Sequence, residues 1–246
     1  MCSQNSDRTA GAIQFAARHD QAMKIAVLGT GSVGRALAAG LAGAGHEVCM
    51  GTRDVRSTIA RDDADQYGVS LSQWMADNPV VELATYADCA AAGDLVINAT
   101  NGQASLLALE AAGSENLAGK VLIDTANPLD FSQGFPPTLF VRDTDSLGER
   151  IQRAFPHARV VKSLNTLTAG LMLNPSSLGA PSAVFVSGDD PAAKKEVVDL
   201  LAGFGWEQIL DLGGISTARG VEMLMPMWLQ LMGMFGDASF NWAIVR

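Results

Sequence analysis

The run Gly29-Thr30-Gly31-Ser32-Val33-Gly34 constrains this chain more than any other feature. A G-x-G-x-x-G pattern recurs by chance in a glycine-rich sequence. This one, however, follows the apolar run KIAVL and opens the Ala/Leu-rich segment RALAAGLAGAG, which read as a strand and a helix. Strand, glycine turn and helix in that order have a physical purpose. Gly29 permits the tight turn, Gly31 lets the main chain approach an anion, and Gly34 lets helix and strand pack closely while the helix N-terminus faces that anion. The plainer alternative is a strand-to-helix turn with no ligand.

The chain continues with the short runs HEVCMGT, DLVINAT, KVLIDTAN, RVVKSLN and SAVFVSG, interleaved with longer Ala- and Leu-rich segments. That alternation predicts βαβ units. Runs such as IAVL, LVIN and VLID lack period-two alternation, as expected of central strands covered on both faces. The expected fold class is therefore α/β: a doubly wound, mostly parallel Rossmann sheet with helices on both faces, extended by a small C-terminal α/β portion. Within that extension PAAKKEVVDLL, from Pro191 to Leu201, reads as a helix opened by Asp189-Asp190 and ended by Gly203 and Gly205. EQILDLG reads as a strand, and a last helix is expected from about Thr217 to Phe235.

At 246 residues, 48% hydrophobic and 17% charged, the chain has enough apolar material for one large α/β domain or a Rossmann domain with a small appendage. With 26 acidic against 17 basic side chains its formal charge is −9, which works against binding nucleic acid or an anionic membrane. An anionic ligand must then be held by a local site. The three cysteines, Cys2, Cys49 and Cys89, have no paired spacing, so neither a disulfide framework nor a zinc site is indicated, and a reducing, cytoplasmic setting is expected. Cys49 and Cys89 read as buried small apolar residues, and His19, His46 and His157 as structural. Residues 1–22 lack the apolar core of a signal peptide and read as a flexible tail, since a start at Met23 would still yield a complete domain.

In NAD-binding units an acidic residue ends the second strand and accepts hydrogen bonds from the ribose 2′-hydroxyl. Here Thr52 falls at that position and Arg53 follows it. A hydroxyl beside a guanidinium, with no carboxylate to repel a phosphate, favours NADP. Arg56 and Ser57 are within reach of the same phosphate. Asp54 is expected to cap the helix beginning near Val55, although a two-residue shift would make it the ribose partner.

The runs KIAVLGTGSVG, GTRD, DLVINAT, VLIDTANPLD and VVKSLNTL, with ARGVEMLMPMW near the C-terminus, closely resemble the NADP-dependent deazaflavin oxidoreductases, the reductases of coenzyme F420, over about residues 23 to 246. Related Rossmann modules occur in ferric reductases of the six-transmembrane type, so the resemblance specifies NADP more closely than the acceptor. It implies hydride transfer between C4 of the nicotinamide and C5 of a deazaflavin stacked on it, with the protein mainly positioning the two. The absence of a Ser-Tyr-Lys arrangement, a Cys and His pair or a metal cluster points the same way.

By resemblance, residues 23–166 form the NADP-binding domain, and 167–246 complete the sheet and cover the substrate cleft. Ala99, Thr100 and Asn101 then lie along the pyrophosphate and the nicotinamide ribose, unless Thr100 or Asn101 only caps a helix. Ala126 and Asn127 fall at the nicotinamide end, where Pro128 favours an extended Asn127. Lys162 would meet an anionic group of the deazaflavin, or polarise a ketone, or else be a strand-end lysine in a surface ion pair. Asn165 stands where the chain leaves the sheet, and Lys162, Asn165 and Trp228 are the candidates for positioning the reacting rings, with no catalytic residue identified. The last helix is apolar almost all round and must be buried, lining the cleft, forming a homodimer interface or completing the core. Met225, Met227 and Trp228 are its candidates for contact with a flat ring, and Arg219 and Glu222 are spaced to pair with each other. Arg142, Arg150, Arg153, Arg159 and Lys162 could form a basic rim for the coenzyme's anionic tail, or be solvated charge. Two other functions fit the same residues: an NADPH-dependent reductase of a small carbonyl, imine or flavin, and a non-catalytic NADP(H) sensor whose bound nicotinamide is covered by protein.

Overall fold

In the computed structural model each apolar run becomes a strand, and residues 22–61, 64 and 68–245 are described. The expected tail, with Cys2 and His19, lies outside the described residues apart from Ala22. The chain runs through β1 (Lys24–Leu28), α1 (Ser32–Gly43), β2 (Glu47–Thr52), α2 (Val55–Ile59), α3 (Leu71–Asp77), β3 (Glu82–Thr85), α4 (Tyr86–Ala92) and β4 (Leu95–Asn98). It continues through α5 (Ser105–Ala112), α6 (Ser114–Leu117), β5 (Val121–Asp124), a small hairpin of β6 (Leu129–Asp130) and β7 (Thr138–Leu139), α7 (Leu147–Ala154) and β8 (Arg159–Ser163). The remainder is α8 (Ala169–Met172), β9 (Ala183–Ser187), α9 (Pro191–Gly203), β10 (Gln208–Asp211), α10 (Ala218–Met223) and α11 (Met225–Phe235).

The main sheet has the order β10-β9-β8-β5-β4-β1-β2-β3. From β3 to β8 all neighbours are parallel, β9 is antiparallel to β8, and β10 is parallel to β9. This is the doubly wound Rossmann arrangement with a reversed two-strand extension. The chain winds outward in opposite directions from β1 and β4, which opens a crevice beyond their C-terminal ends.

Two apolar layers explain the unbroken hydrophobic strands. Ile25 and Val27 pack with Leu37, Leu41, Met50 and Ile97 on one face, whereas Ala26 and Leu28 pack with Leu109, Leu122 and Ile151 on the other. Successive side chains of one strand thus enter different cores, and each must be apolar.

The helix signals act as read. Asp54 accepts from the Ser57 N–H at 2.6 Å to cap α2, and Asp190 accepts from the Ala192 and Ala193 N–H groups to cap α9, with Pro191 at its first position. The last helix departs from expectation. Pro226 has no N–H to give and its ring would strike the carbonyl of Glu222, so the segment breaks at Leu224 into α10 and α11. Nor is it buried all round. Met225, Trp228 and Leu229 face inward, while Met223, Met227, Met234 and Phe235 are exposed. Among the described residues no helix is long and apolar enough to cross a membrane.

A methyl on Gly34 would overlap the Gly29 carbonyl oxygen, whereas one on Gly31 would meet nothing within 4 Å. Gly34→Ala should therefore cost about 1–3 kcal/mol by overpacking, a loss of roughly 2–12 °C in Tm for a chain of this size, whereas Gly31→Ala should leave the thermal melt unchanged. Equal melts for the two variants would contradict this account of the turn.

Candidate functional site

The crevice is lined first by the β1–α1 turn. Gly29 has φ 125°, and a Cβ there would stand 2.5 Å from the Ala99 carbonyl oxygen, so only glycine lets this turn meet the end of β4. No side chain caps the N-terminus of α1, so its first N–H groups and its dipole are free to meet an anion beside exposed Gly31. Ser32 and Val33 open the helix. Arg35, whose Nε donates to the Thr30 carbonyl at 3.0 Å and whose guanidinium also donates to the Val69 carbonyl at 2.8 Å, fixes the turn from behind.

At the end of β2, Thr52 is buried and its hydroxyl is bonded to that of Thr58 at 2.7 Å, so it faces α2 rather than the crevice. Arg53, Arg56 and Arg61 are exposed, and no carboxylate among the described residues pairs with them. Burial pushes the Tyr86 phenol up from its ordinary value, and the nearby Arg53 and Arg61 charges oppose that rise. The Ser57 hydrogen bonds hold Asp54 below the usual carboxylate range, in its capping role.

The ends of β4, β5 and β8 carry a continuous polar network. Asn98 donates from Nδ2 to Asp124 Oδ1 at 2.8 Å and to Ser105 Oγ at 3.1 Å, and accepts from the Thr100 hydroxyl at 2.6 Å. Asn101 caps the short turn that follows, accepting from the Gln103 N–H at 3.0 Å. Asp124 and Lys162 are cross-strand partners on β5 and β8. Lys162 Nζ is 2.8 Å from Asp124 Oδ2 and 2.8 Å from Glu222 Oε1, and also donates to the Ala126 carbonyl. Glu222 in turn accepts from the Leu147 and Gly148 N–H groups at 2.8 and 3.0 Å, at the start of α7. Burial works against the Lys162 charge, but the Asp124 and Glu222 carboxylates outweigh it and hold the ammonium above the usual lysine range.

Beyond β8 the chain turns at Leu164, held at φ 61° in the left-handed region that leucine rarely enters. The turn brings Asn165 against Asn127: Asn165 Nδ2 donates to Asn127 Oδ1 at 2.9 Å, and Asn127 Nδ2 donates to the Asn165 carbonyl at 2.8 Å. Past this pair, Thr168, Leu171, Trp228, Met232 and Ala238 line a cleft of about 880 Å³. Trp228 is 7% exposed and stacks on Phe240 with ring centroids 5.3 Å apart, yet its Nε1 has no hydrogen-bond partner among the described residues.

Residues 24–128 match the NADP oxidoreductase, coenzyme F420-dependent, family. Over 213 residues the chain is 30% identical to the F420-dependent NADP reductase of Methanothermobacter marburgensis, covering 85% of this chain and 92% of that protein. This chain belongs to the F420-dependent NADP reductase family. It is 56% identical to a candidate F420-dependent NADP reductase from Arthrobacter sp. FB24 whose crystal structure superposes with a TM-score of 0.87, over 91% of this chain and 100% of that one. The rat metalloreductase STEAP3 is 26% identical over 213 residues, 85% of this chain, which spans only 38% of that protein's length.

In this reductase-family chain several sequence expectations need correction. Lys162 is neither a surface ion pair nor within reach of a substrate, because it is 0% exposed between two carboxylates. Arg219 pairs with Glu149 through two hydrogen bonds of 2.8 and 2.6 Å rather than with Glu222, whose carboxylate turns to Lys162 and α7. The basic rim is neutralised: Arg150 and Arg153 hold Asp145, Arg159 holds Asp190 and Glu196, and Arg142 faces Asp143. The Arg153 hydrogen bonds lead in lowering Asp145 to about 2. Met227 is exposed, and Cys49 is half-buried, with the Cys89 thiol donating to its carbonyl at 2.8 Å. No metal-binding cluster occurs among the described residues.

Sequence reasoning missed Asn98, Asp124 and Glu222 as parts of one network. The available signals were Asp124 at the end of β5, Lys162 one residue before the end of β8 and a lone glutamate in an apolar helix, but nothing in the sequence pairs them.

Lys162→Met should leave two buried carboxylates uncompensated and cost about 3–5 kcal/mol in urea unfolding at pH 7. A group raised on folding stabilises fully below its unfolded value, about 10.4 for lysine, and that stability is lost only as pH rises through the folded value. The gap between wild-type and variant midpoints should therefore not close as pH rises from 6 to 9, and it widens wherever a buried carboxylate of the variant gives up a proton. A gap that closes within that window would show that Lys162 titrates there.

Proposed function

We propose that this chain transfers a hydride between NADP(H) and coenzyme F420. The observation that carries the NADP half is Arg53 directly after β2, where NAD-binding units hold an acid, with Arg56 on α2 and Arg61 beyond it, none of them paired with a carboxylate among the described residues. The deazaflavin half rests on family membership and on the cleft beside Trp228.

In this reading the turn Gly29-Thr30-Gly31-Ser32-Val33-Gly34 and the uncapped start of α1 hold the pyrophosphate. Arg53, Arg56 and Arg61 hold the 2′-phosphate, with Ser57 nearby, and Thr52 serves by keeping a carboxylate away and bracing α2. Ala99, Thr100 and Asn101 run along the nicotinamide ribose, Ala126, Asn127 and Asn165 border the nicotinamide, and Trp228 borders the acceptor. Residues 23–166 act as the NADP-binding part and 167–246 as the cover of the acceptor cleft. NADPH supplies the hydride, so the protein's task is to orient and to exclude water. The rival reduction of a small carbonyl or imine needs a proton donor at the ring. Lys162, the only donor the sequence offered, is enclosed between Asp124 and Glu222. A sensor would cover its nicotinamide, and the open cleft past Asn165 argues against that. The free Cys49 and Cys89 fit a reducing cytoplasm, and the exposed Met227, Met234 and Phe235 of α11 fit a homodimer, which light scattering would test.

An absorbance assay with NADPH and oxidised F420, with NADH, FMN and a simple ketone as parallel controls, should show bleaching of the deazaflavin with NADPH as the preferred donor. No turnover despite tight NADPH binding would discard the deazaflavin half. Arg53→Ala should weaken NADPH binding by about 1.5–3 kcal/mol, roughly 10- to 150-fold, with little effect on NADH. An equal loss for both dinucleotides would remove Arg53 from the 2′-phosphate site.

A further inference from the structure

The Asp124–Lys162–Glu222 network is an odd choice if stability were its only role. It places charge beside the apolar runs Val121-Leu122-Ile123 of β5 and Val160-Val161 of β8, and buried ion triads are often matched or surpassed in stability by apolar residues of similar volume. Its hydrogen bonds show where it acts. Asp124 Oδ1 accepts from the Ala126 N–H at 3.2 Å and Lys162 Nζ donates to the Ala126 carbonyl, so both main-chain polar groups of that residue are held by the network. The next residue, Asn127, is clamped by Asn165, and Asn165 Nδ2 also donates at 3.2 Å to the carbonyl of Val221, the residue before Glu222. On its other side the Asn127 carbonyl lies so close to Gly102 that any Cβ there would overlap it. Helix α10 therefore grips the Ala126–Asn127 loop twice, through Glu222 and through Val221, and it leads directly into α11 with Trp228 on the cleft wall.

We infer that Lys162 and Glu222 are positioning residues for hydride transfer, setting the Ala126–Asn127 loop against the nicotinamide and tying it to the helices that border the acceptor. The inference rests on the proposed reading of that loop as the nicotinamide end. Neither residue touches a reacting atom, since both are enclosed. Their effect is on geometry, to which hydride transfer between stacked rings is sensitive: a misplacement of about 1 Å can cost on the order of 100-fold in rate.

Glu222→Gln keeps the shape but replaces one of the two accepting oxygens with an NH2, which faces either the Leu147 N–H or the Gly148 N–H and Lys162, and Lys162→Met removes the ammonium. Three readouts separate positioning from folding: kcat and KM with NADPH and F420, the change in dihydronicotinamide fluorescence when NADPH binds, and the Kd of 2′,5′-ADP, which reports the adenosine end alone. The expected result is a fall in kcat of about tenfold or more and loss of the fluorescence change, with KM for NADPH and the 2′,5′-ADP Kd within about twofold of wild type. If Lys162→Met does not fold, Glu222→Gln decides. Wild-type kcat and fluorescence in a folded variant would overturn the inference. So would a joint loss of nicotinamide signal, 2′,5′-ADP affinity and melting temperature, which marks a role in the fold only. Should the wild-type protein not reduce F420, the functional reading fails by itself, and the fluorescence and 2′,5′-ADP measurements still decide the positioning role.

Discussion

A single enclosed ammonium joins the parts of this protein that must act together. Lys162 lies between a carboxylate on the neighbouring strand and one on α10, with no exposure to solvent. Removing such a charge from water is costly, and only close opposite charges and complete hydrogen bonding offset the cost. Here both conditions hold, because Asp124 is completed by Asn98 and the Ala126 N–H, and Glu222 by two N–H groups of α7. The arrangement works only with all of these elements in place, so the C-terminal segment is locked to the edge of the sheet that carries the crevice.

The electrostatics of the crevice are local. A chain of formal charge −9 offers no long-range attraction to a dinucleotide phosphate. What it offers instead is the uncapped N-terminus of α1 and the arginines after β2, while most other basic groups near the cleft are spent on Asp145, Asp190, Glu149 and Glu196. In the proposed reading the fixed dipoles of α1 meet the pyrophosphate, and the guanidiniums after β2, which have no carboxylate partner among the described residues, meet the 2′-phosphate. This favours recognition by pre-set geometry over a general basic surface.

Much of this was legible along the chain because it depends on neighbours in sequence. The Gly29–Gly34 turn, the caps at Asp54 and Asp190 and the unbroken apolar strands follow from dihedral preferences, local hydrogen bonds and burial on two faces. The break at Leu224 was legible in principle, since Pro226 forbids an uninterrupted helix, but the apolar pattern on both sides masked it. The Arg219–Glu222 pairing failed for another reason: i,i+3 spacing makes contact available on a helix surface, yet a buried partner outcompetes it whenever the fold brings one close.

The fold class, the glycine turn, the absence of an acid at the end of the second strand and the family were all readable along the chain, because each is written in residues a few positions apart. Folding in three dimensions is what encloses Lys162, joins Asn127 to Asn165, turns Thr52 to Thr58 and pairs the arginines expected to form a basic rim. Those outcomes join residues as many as 98 positions apart on strands whose order in the sheet differs from their order in the chain, from Asp124 on β5 to Glu222 on α10. Which charges become neighbours there is set by the winding of the sheet, and no local spacing encodes it.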